Sequence, residues 1–179
     1  MAKSGPFVAD VQAVRKRARE HMDAGAVTSN YEGDVATTVK ILNEALATEL
    51  VCVLRYKYHA ITAVGIDSEA VKQEFAEHAN DEQEHADQIA ERINQLGGKP
   101  NMNPESLTSR ATTQYIEGDS LRSMIQENLV AERIAIETYR EMIRFFANHD
   151  PTTRKMLESI LAKEEEHAND MQDLLAAQH

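Results

Sequence analysis

One arrangement of glutamates and histidines occurs twice in this chain. A glutamate is followed by a Glu-x-x-His pair, 33 residues later in the first copy and 32 residues later in the second. The first copy comprises Glu49, Glu82 and His85, and the second comprises Glu132, Glu164 and His167. Residues three apart on a helix lie on the same face, so each Glu-x-x-His pair can bind one metal ion from two directions. Because carboxylate and imidazole groups suit iron and manganese and also bind zinc, the pattern predicts a site for two such ions.

The repeat extends beyond the six predicted ligands. Tyr56 follows Glu49 by seven residues, and Tyr139 follows Glu132 by the same interval. A single Glu-x-x-His in a glutamate-rich helix is typical of a solvated surface, but both copies here fall on the apolar stripes of the predicted helices. Burial of unpaired carboxylates is costly, and two divalent cations would offset the four negative charges. The repeat therefore favours a buried metal site over a charged surface.

Long helices are needed to carry this repeat, and the sequence predicts four of them. Helix A runs from Asp34 to about Val64, helix B from Ser68 to Gly97-Gly98, helix C from Asp119 or Ser120 to about Asn148, and helix D from Asp150 to about Ala177. Aspartate and serine are favourable N-caps, and proline suits the first helical position, which Pro151 would take in helix D. Each helix would be about 40 Å long at 1.5 Å per residue. Four long helices of matched length predict an all-α four-helix bundle.

The connections between the helices set the topology. The A–B and C–D connections are short, so each pair should be antiparallel, whereas residues 99–117 form a long B–C crossover in which a short helix is predicted near 104–110. We expect the bundle to occupy residues 34–179 and residues 1–33 to form an extension. Apolar residues recur in the extension at helical spacing and predict a short amphipathic helix there. These apolar residues are Phe7, Val11, Val14, Ala18 and Met22.

Composition limits the partners of the protein. The formal net charge of −11 disfavours nucleic-acid binding by the body of the chain and favours the attraction of cations. We find no apolar run long enough to span a membrane and no signal peptide, so we expect a cytoplasmic protein. The single cysteine, Cys52, excludes an internal disulfide and a multi-cysteine zinc site.

The helix motifs resemble those of the bacterioferritins and their relatives in the ferritin-like family. The resemblance covers about residues 34–175 and rests on Glu49-Leu50-Val51 with Tyr56, on residues 81–87 (DEQEHAD), on Leu129-Val130-Ala131-Glu132 and on residues 164–167 (EEEH). It implies that Glu82 and Glu164 bridge two iron ions. Glu49 and His85 would then bind one ion, and Glu132 and His167 the other. The implied activity is oxidation of Fe(II) by O2 or H2O2, with storage of Fe(III) in an oligomeric protein cage.

Three features depart from the bacterioferritins. Gln83 stands where those proteins carry the haem-ligating methionine, and helices A and B contain no methionine, which argues against haem. Twelve residues follow His167, too few for the fifth helix of a 24-subunit bacterioferritin shell. The N-terminal extension and the long B–C connection resemble instead the Dps-type mini-ferritins, which form 12-subunit shells. We therefore expect a 12-subunit shell with a bacterioferritin-type centre inside each subunit.

Five residues near the predicted ligands are open to both functional and structural interpretations. Tyr56, which belongs to the family motif, is a candidate catalytic residue that could donate hydrogen bonds or electrons. We expect Tyr139 to pack in the core with a satisfied hydroxyl, Cys52 to be a small core residue and His78 to lie at the surface. Asp81 precedes Glu82 and could guide iron to the centre or be a solvated charge.

Three functions fit these residues. The leading one is a ferroxidase that stores iron. A second is another di-metal enzyme on the same bundle, such as a manganese catalase or an oxygenase, because the fold alone does not separate these chemistries. A third is a DNA-binding or structural shell in which Arg15, Lys16, Arg17 and Arg19 contact phosphates. The acidic total charge favours a solvated basic helix over this third function.

Overall fold

The computed structural model describes residues 10–65 and 68–177. In these residues the α-helices are α1 (Val11–Arg17), α2 (Val35–Thr62), α3 (Ser68–Gln95), α4 (Leu107–Arg110), α5 (Leu121–Phe146) and α6 (Pro151–Ala177). Single 3-10 turns occur at Met22–Ala24 and Pro104–Ser106. The helices predicted as A to D are α2, α3, α5 and α6, with 28, 28, 26 and 27 residues. The all-α four-helix bundle predicted from the sequence is confirmed.

Capping side chains fix where three of the long helices begin. Asp34 accepts a hydrogen bond from the Thr37 backbone N–H, and Asp150 accepts one from the Thr153 backbone N–H. Ser120 caps α5 in the same way. These caps satisfy backbone donors that have no partner inside the helix, and they lie where the sequence predicted them. Helix α5 ends at Phe146, slightly before the predicted Asn148, because Ala147 adopts a left-handed backbone with φ of 39°.

The four long helices form two hairpins that pack together along the bundle. Helix α2 packs against α3, and α5 packs against α6, while α2–α5 and α3–α6 contacts join the two hairpins. One apolar cluster includes Leu46, Ile89 and Ile160, and a second includes Phe75 and Ile125. On each long helix the predicted ligands lie between the residues of these two clusters. The polar centre is therefore enclosed by apolar packing on both sides along the bundle axis.

The long crossover is held against the bundle by two buried polar residues of α2. Arg55 donates hydrogen bonds from Nη1 to the Thr113 hydroxyl, at 3.1 Å, and to the Gln114 carbonyl, at 2.9 Å. His59 Nε2 lies 2.9 Å from the Glu117 carbonyl oxygen. The predicted short helix near 104–110 is present as a 3-10 turn followed by α4. Polar contacts on the C-terminal side of α4 thus fix a connection that has little regular structure of its own.

The extension contains a shorter helix than the sequence predicts. Asp10 caps α1 by accepting hydrogen bonds from the Gln12 and Ala13 backbone N–H groups, and His21 has a left-handed φ of 50°. The helix therefore ends before Met22, and Phe7 lies outside the described residues. Within the described ranges, no helix is long and apolar enough to cross a membrane.

Candidate metal centre

The six predicted ligands meet in the middle of the bundle. Each of α2 and α5 contributes one glutamate, each of α3 and α6 contributes a Glu-x-x-His pair, and none of the six residues is more than 5% exposed. Their ligand atoms form two groups in which all atoms lie within 4.8 Å of one another. One group is Glu49, Glu82, His85 and Glu164, and the other is Glu82, Glu132, Glu164 and His167. Two metal ions bridged by Glu82 and Glu164 would require this arrangement.

Both histidines turn their Nδ1 atoms toward the carboxylates. His85 Nδ1 lies 3.0 Å from a Glu164 oxygen, 3.3 Å from a Glu82 oxygen and 3.4 Å from a Glu49 oxygen. His167 Nδ1 lies 3.7 Å from a Glu82 oxygen and 3.8 Å from a Glu164 oxygen. Nδ1 is therefore the atom that each ring would offer to a metal ion, which leaves Nε2 free for contacts outside the centre.

Buried polar atoms without hydrogen-bond partners converge on the same space. Among the described residues these atoms include Glu49 Oε2, Glu82 Oε1, Glu132 Oε2, both Glu164 carboxylate oxygens and His167 Nδ1. Leaving a buried polar atom unsatisfied costs about 1–3 kcal/mol. Carboxylate oxygens can only accept when ionised, so a cation is the group that satisfies all of them together. Oxygen and imidazole donors of this kind fit iron or manganese.

Two buried tyrosines hold the two terminal carboxylates. The Tyr56 hydroxyl on α2 donates to Glu132 Oε1 on α5, and the Tyr139 hydroxyl on α5 donates to Glu49 Oε1 on α2. Each carboxylate thus uses one oxygen for a tyrosine and directs its other, unpaired oxygen to the centre. Tyr139 packs in the core as expected, and its hydroxyl is satisfied by a predicted ligand. Each tyrosine therefore orients the ligand of the opposite hairpin.

His78 is buried, so the prediction that it lies at the surface was wrong. It is 2% exposed, its Nδ1 lies 3.1 Å from the Tyr56 hydroxyl oxygen, and its ring stacks on His167 with centroids 3.9 Å apart. Burial lowers the pKa of His78 to about 3, and the positive charge of His167 adds to this effect. The signal in the sequence was its position four residues before Glu82, on the same helix face.

Asp81 contacts a predicted ligand, whereas Cys52 is a buried core residue. Asp81 Oδ2 lies 3.1 Å from His167 Nε2 and accepts its hydrogen bond, a contact that orients a ligating imidazole and raises its basicity. Asp81 is thus a partner of a predicted ligand as well as a partly exposed charge. Cys52 is buried, as expected for a small core residue.

Electrostatics of the metal-free centre favour protons in the place of metal ions. Burial raises the pKa of Glu49, and the charge of Glu82 raises it further. Burial alone would lower the pKa of His167, but the surrounding carboxylates, chiefly Glu82 and Glu132, raise it to about 9. The carboxylates around His85 raise its pKa as well, against the effect of burial. Metal ions must therefore displace protons when they bind.

A surface cavity of about 190 Å³ reaches one side of the centre between α3 and α6. His85 forms part of its wall, together with the charged residues Asp81, Glu84 and Lys163. Because His85 is also one of the predicted ligands, this cavity brings solvent to the edge of the centre. It is wide enough for a hydrated ion or a small oxidant.

Comparisons with known proteins agree with this architecture. The protein-family model of the ferritin-like domain matches residues 39–178. The chain is 32% identical over 139 residues to a nutrient stress-induced DNA-binding protein of Synechococcus sp., covering 75% of this chain and 78% of that protein.

Two solved structures share the fold. One is the dodecameric thioferritin of Bacteroides fragilis, a bacterioferritin-related protein, with 35% identity and a TM-score of 0.78, covering 82% of this chain and 88% of that one. The other is a ferritin-like, diiron-carboxylate protein of Bacillus anthracis, with 30% identity and a TM-score of 0.70, covering 79% and 96% of the two chains. The range matched by the family model, residues 39–178, includes all six predicted ligands.

Proposed function

This chain belongs to the ferritin-like family, and we propose that it is a ferroxidase that oxidises Fe(II) with O2 or H2O2 and stores the Fe(III) in an oligomeric cage. The observation that carries the proposal is the pair of four-ligand groups that share Glu82 and Glu164. A bacterioferritin-related protein and a diiron-carboxylate protein among its relatives support iron as the metal. Two Fe ions per subunit would bind, and Mn or Zn could substitute for them; Gln83 argues against a haem group.

In this mechanism Fe(II) is the substrate, and the protein brings two ions together. Two Fe(II) ions supply two electrons, so H2O2 and two protons yield two water molecules and two Fe(III) ions; with O2 the product is H2O2. Two-metal sites hold their ions about 3.5–4 Å apart, which suits a shared two-electron step. The four carboxylates balance the four positive charges of two Fe(II) ions. Oxidation in pairs would avoid the release of one-electron radical products.

The remaining side chains would hold the ligands and select the reactants. Tyr56 and Tyr139 are not ligands themselves. Each would fix the orientation of one carboxylate, that of Glu132 or Glu49, by donating a hydrogen bond to it. Asp81 fixes the ring of His167 through Nε2. Apolar packing on both sides keeps bulk water and larger substrates away, and the cavity beside His85 offers a route for ions and oxidant.

Storage requires an assembled shell, and we propose one of 12 subunits rather than 24. The dodecameric relative supports this number. The test is to add Fe(II) well beyond two ions per chain in air and to separate the products by gel filtration and analytical ultracentrifugation. Storage predicts ferric mineral that co-elutes with a particle of about twelve chains. Ferric iron that precipitates, or that stays at two ions per chain, would instead indicate another di-metal enzyme.

DNA binding through the extension is a second candidate function. Arg15 and Lys16 are exposed on α1, and Arg19 is exposed just after that helix. The relative from Synechococcus sp. is named a DNA-binding protein. Phosphate contacts of this kind weaken steeply as salt concentration rises. Deletion of residues 1–22 should therefore abolish a salt-dependent retention of duplex DNA if the extension is the binding element. Retention that is absent, or equal with and without the extension, would exclude this function.

A further inference from the structure

A second cluster of metal-binding side chains lies next to the centre and shares none of its six predicted ligands. Glu74 and His78 come from α3, and Asp170 comes from α6. His78 Nε2 lies 3.3 Å from Glu74 Oε1 and 3.5 Å from Asp170 Oδ2, and the three ligand atoms lie within 4.8 Å of one another. One imidazole nitrogen and two carboxylates form a three-ligand set typical of divalent transition-metal sites.

The hydrogen bonds of Tyr56 determine which atom His78 presents to this cluster. A hydroxyl has one proton, and Tyr56 donates its proton to Glu132 when that carboxylate is ionised. The Tyr56 oxygen can then only accept from His78 Nδ1, 3.1 Å away. A neutral His78 ring that donates from Nδ1 has a lone pair on Nε2. That lone pair points between two carboxylates, and all three groups are acceptors.

The buried Nε2 atom has no hydrogen-bond partner in the described part of the chain. Its side chain is 3% exposed, whereas those of Glu74 and Asp170 are 34% and 39% exposed. A buried lone pair without a donor is a costly arrangement, and a bound cation would remove the cost. The cluster is therefore open to solvent on its carboxylate side and closed on its imidazole side.

No lysine or arginine among the described residues forms an ion pair with either carboxylate. More acidic residues lie nearby instead. Burial raises the pKa of Asp170, and the charge of Glu166 raises it further. Burial raises the pKa of Glu74 as well, and the charge of Asp170 adds to it. Concentrated negative charge of this kind attracts cations, and the charges of the two carboxylates stay uncompensated until a cation binds.

We propose that Glu74, His78 and Asp170 form a third metal site, which binds a divalent transition-metal ion such as Fe(II) through His78 Nε2. The site lies against the α5–α6 half of the centre, since the His78 ring stacks on His167 and hydrogen-bonds to Tyr56. Its two carboxylates are partly exposed, so the ion can arrive from solvent. Metal binding at this site does not depend on the activity of the centre.

A role for this site in iron transfer follows, and that role rests on the proposed function. The His78 ring that would hold the ion stacks on the ring of His167, a predicted ligand of the α5–α6 half, with centroids 3.9 Å apart. The site would hold Fe(II) beside the centre until a centre position is vacated. Loss of the third site should then slow repeated turnover while leaving the first two-ion oxidation unchanged.

The direct test of the site is crystallographic, with Co(II) as the probe because it is stable in air and scatters anomalously. Crystals of the full chain grown with Co(II) should show an anomalous peak within bonding distance of His78 Nε2, Glu74 and Asp170, in addition to peaks at the centre. Peaks at the centre without one at His78 would overturn the third site. A peak at His78 without peaks at the centre would uphold the third site and overturn the proposed ferroxidase centre.

Matched variants extend the test to solution. Equilibrium dialysis should give three Co(II) ions per chain for the unchanged protein and two for Asp170→Asn or Glu74→Gln. The Asp173→Asn variant removes the same charge three residues after Asp170 on α6, and it should still bind three ions. Loss of an ion in the Asp173 variant, or three ions bound in both site variants, would contradict the proposal. Circular dichroism identifies any variant that fails to fold, and the remaining site variant then decides.

Discussion

The two halves of the candidate centre have the same ligand types but different surroundings. Glu49 and His85 complete the α2–α3 half, and Glu132 and His167 complete the α5–α6 half. In the α5–α6 half, Asp81 accepts a hydrogen bond from the outer nitrogen of the histidine. His85 instead forms part of the wall of the surface cavity.

The internal repeat shows where this difference arises. Asp81 and Lys163 occupy equivalent positions, each one residue before a glutamate that is predicted to bridge the ions, and His78 and Ile160 are each four residues before one. The α3 copy thus carries an acid and an imidazole where the α6 copy carries a cation and a buried apolar side chain. The repeated ligand types therefore define the candidate centre, and the neighbouring residues give the histidine of the α5–α6 half a hydrogen-bond acceptor at its outer nitrogen. We expect metal to bind more tightly in the α5–α6 half.

Substitution of Glu82, a predicted bridging ligand, should abolish metal binding in both halves of the centre. Glu82→Ala takes a ligand from both four-residue groups, so we expect rapid Fe(II) oxidation to fall by more than about 100-fold, beyond the range found when only an outer partner of a ligand is lost. The helices should stay folded by circular dichroism, because the change removes a buried charge along with the ligand. Stopped-flow absorbance of ferric iron measures the rate.

The matched control is Glu91→Ala, which removes the same charge from an exposed position on the same helix. It should oxidise iron at the normal rate. Normal oxidation by the Glu82 variant would contradict the assignment of the site.

A substitution at Asp81 should lower the metal affinity of one half of the centre and leave that of the other half nearly unchanged. Asp81→Asn weakens the support of His167 alone, so we expect about 10–100-fold weaker metal binding in the α5–α6 half and little change in the other. Calorimetric titration with Co(II) should change from closely spaced binding steps to two clearly separated ones. Lys163→Gln at the equivalent position of α6 should leave both affinities nearly unchanged. Equal effects of the two variants would show that the hydrogen bond between Asp81 and His167 does not strengthen metal binding in the α5–α6 half.

The effects of substituting the two tyrosines should differ from each other less than the effects of substituting Asp81 and Lys163 do. Tyr139→Phe and Tyr56→Phe each leave one oxygen of a buried carboxylate without its donor, which should lower the free energy of unfolding of the metal-free protein by about 1–3 kcal/mol. Chemical denaturation measures this loss. Tyr56→Phe also removes the partner of His78 Nδ1, so it should have the larger effect on iron oxidation. A larger effect of Tyr139→Phe would contradict the asymmetry.

One contribution to the pH dependence of the metal-free protein should come from the α5–α6 histidine. The pKa of His167 is raised from 6.5 to about 9 in the folded protein, so the folded state binds more protons than the unfolded state in that interval. Its contribution to stability is complete below pH 6.5 and is lost as pH rises toward about 9. His85, beside three carboxylates, should stay protonated throughout. Imidazole NMR signals followed across this interval would identify which ring titrates.

Metal binding should reverse this trend, because the ions replace the protons. The melting temperature should fall with rising pH after chelation and should not fall in the metal-loaded protein. A falling melting temperature in both forms would show that the pH dependence arises outside the centre.

The helices, and the faces of them that carry the six predicted ligands, were predictable because they depend on local periodicity. Glu82-x-x-His85 shares a face through helical spacing alone, and the second copy of the pattern made burial the better interpretation. The caps at Asp34 and Asp150 were predictable for the same local reason. These features need no knowledge of which helix packs against which.

Contacts across the bundle were not predictable in the same way. Spacing places Tyr56 on the face of its own ligand Glu49, but its hydroxyl reaches Glu132 on another helix. His78 was wrongly placed at the surface because its helix is rich in charged residues, although its spacing from Glu82 already indicated the inner face. Arg55 gave no signal of burial, since its partners lie in an irregular connection.

The most direct test of the central claim is to count the ions oxidised in the fast phase. Fe(II) is added without oxygen to metal-free protein, O2 or H2O2 is then admitted, and ferric absorbance is followed against the iron added per chain. A ferroxidase cage predicts a fast phase that saturates near two ions per chain and is followed by continued growth of soluble mineral. No fast phase at any ratio of iron to chain would contradict the account of the centre.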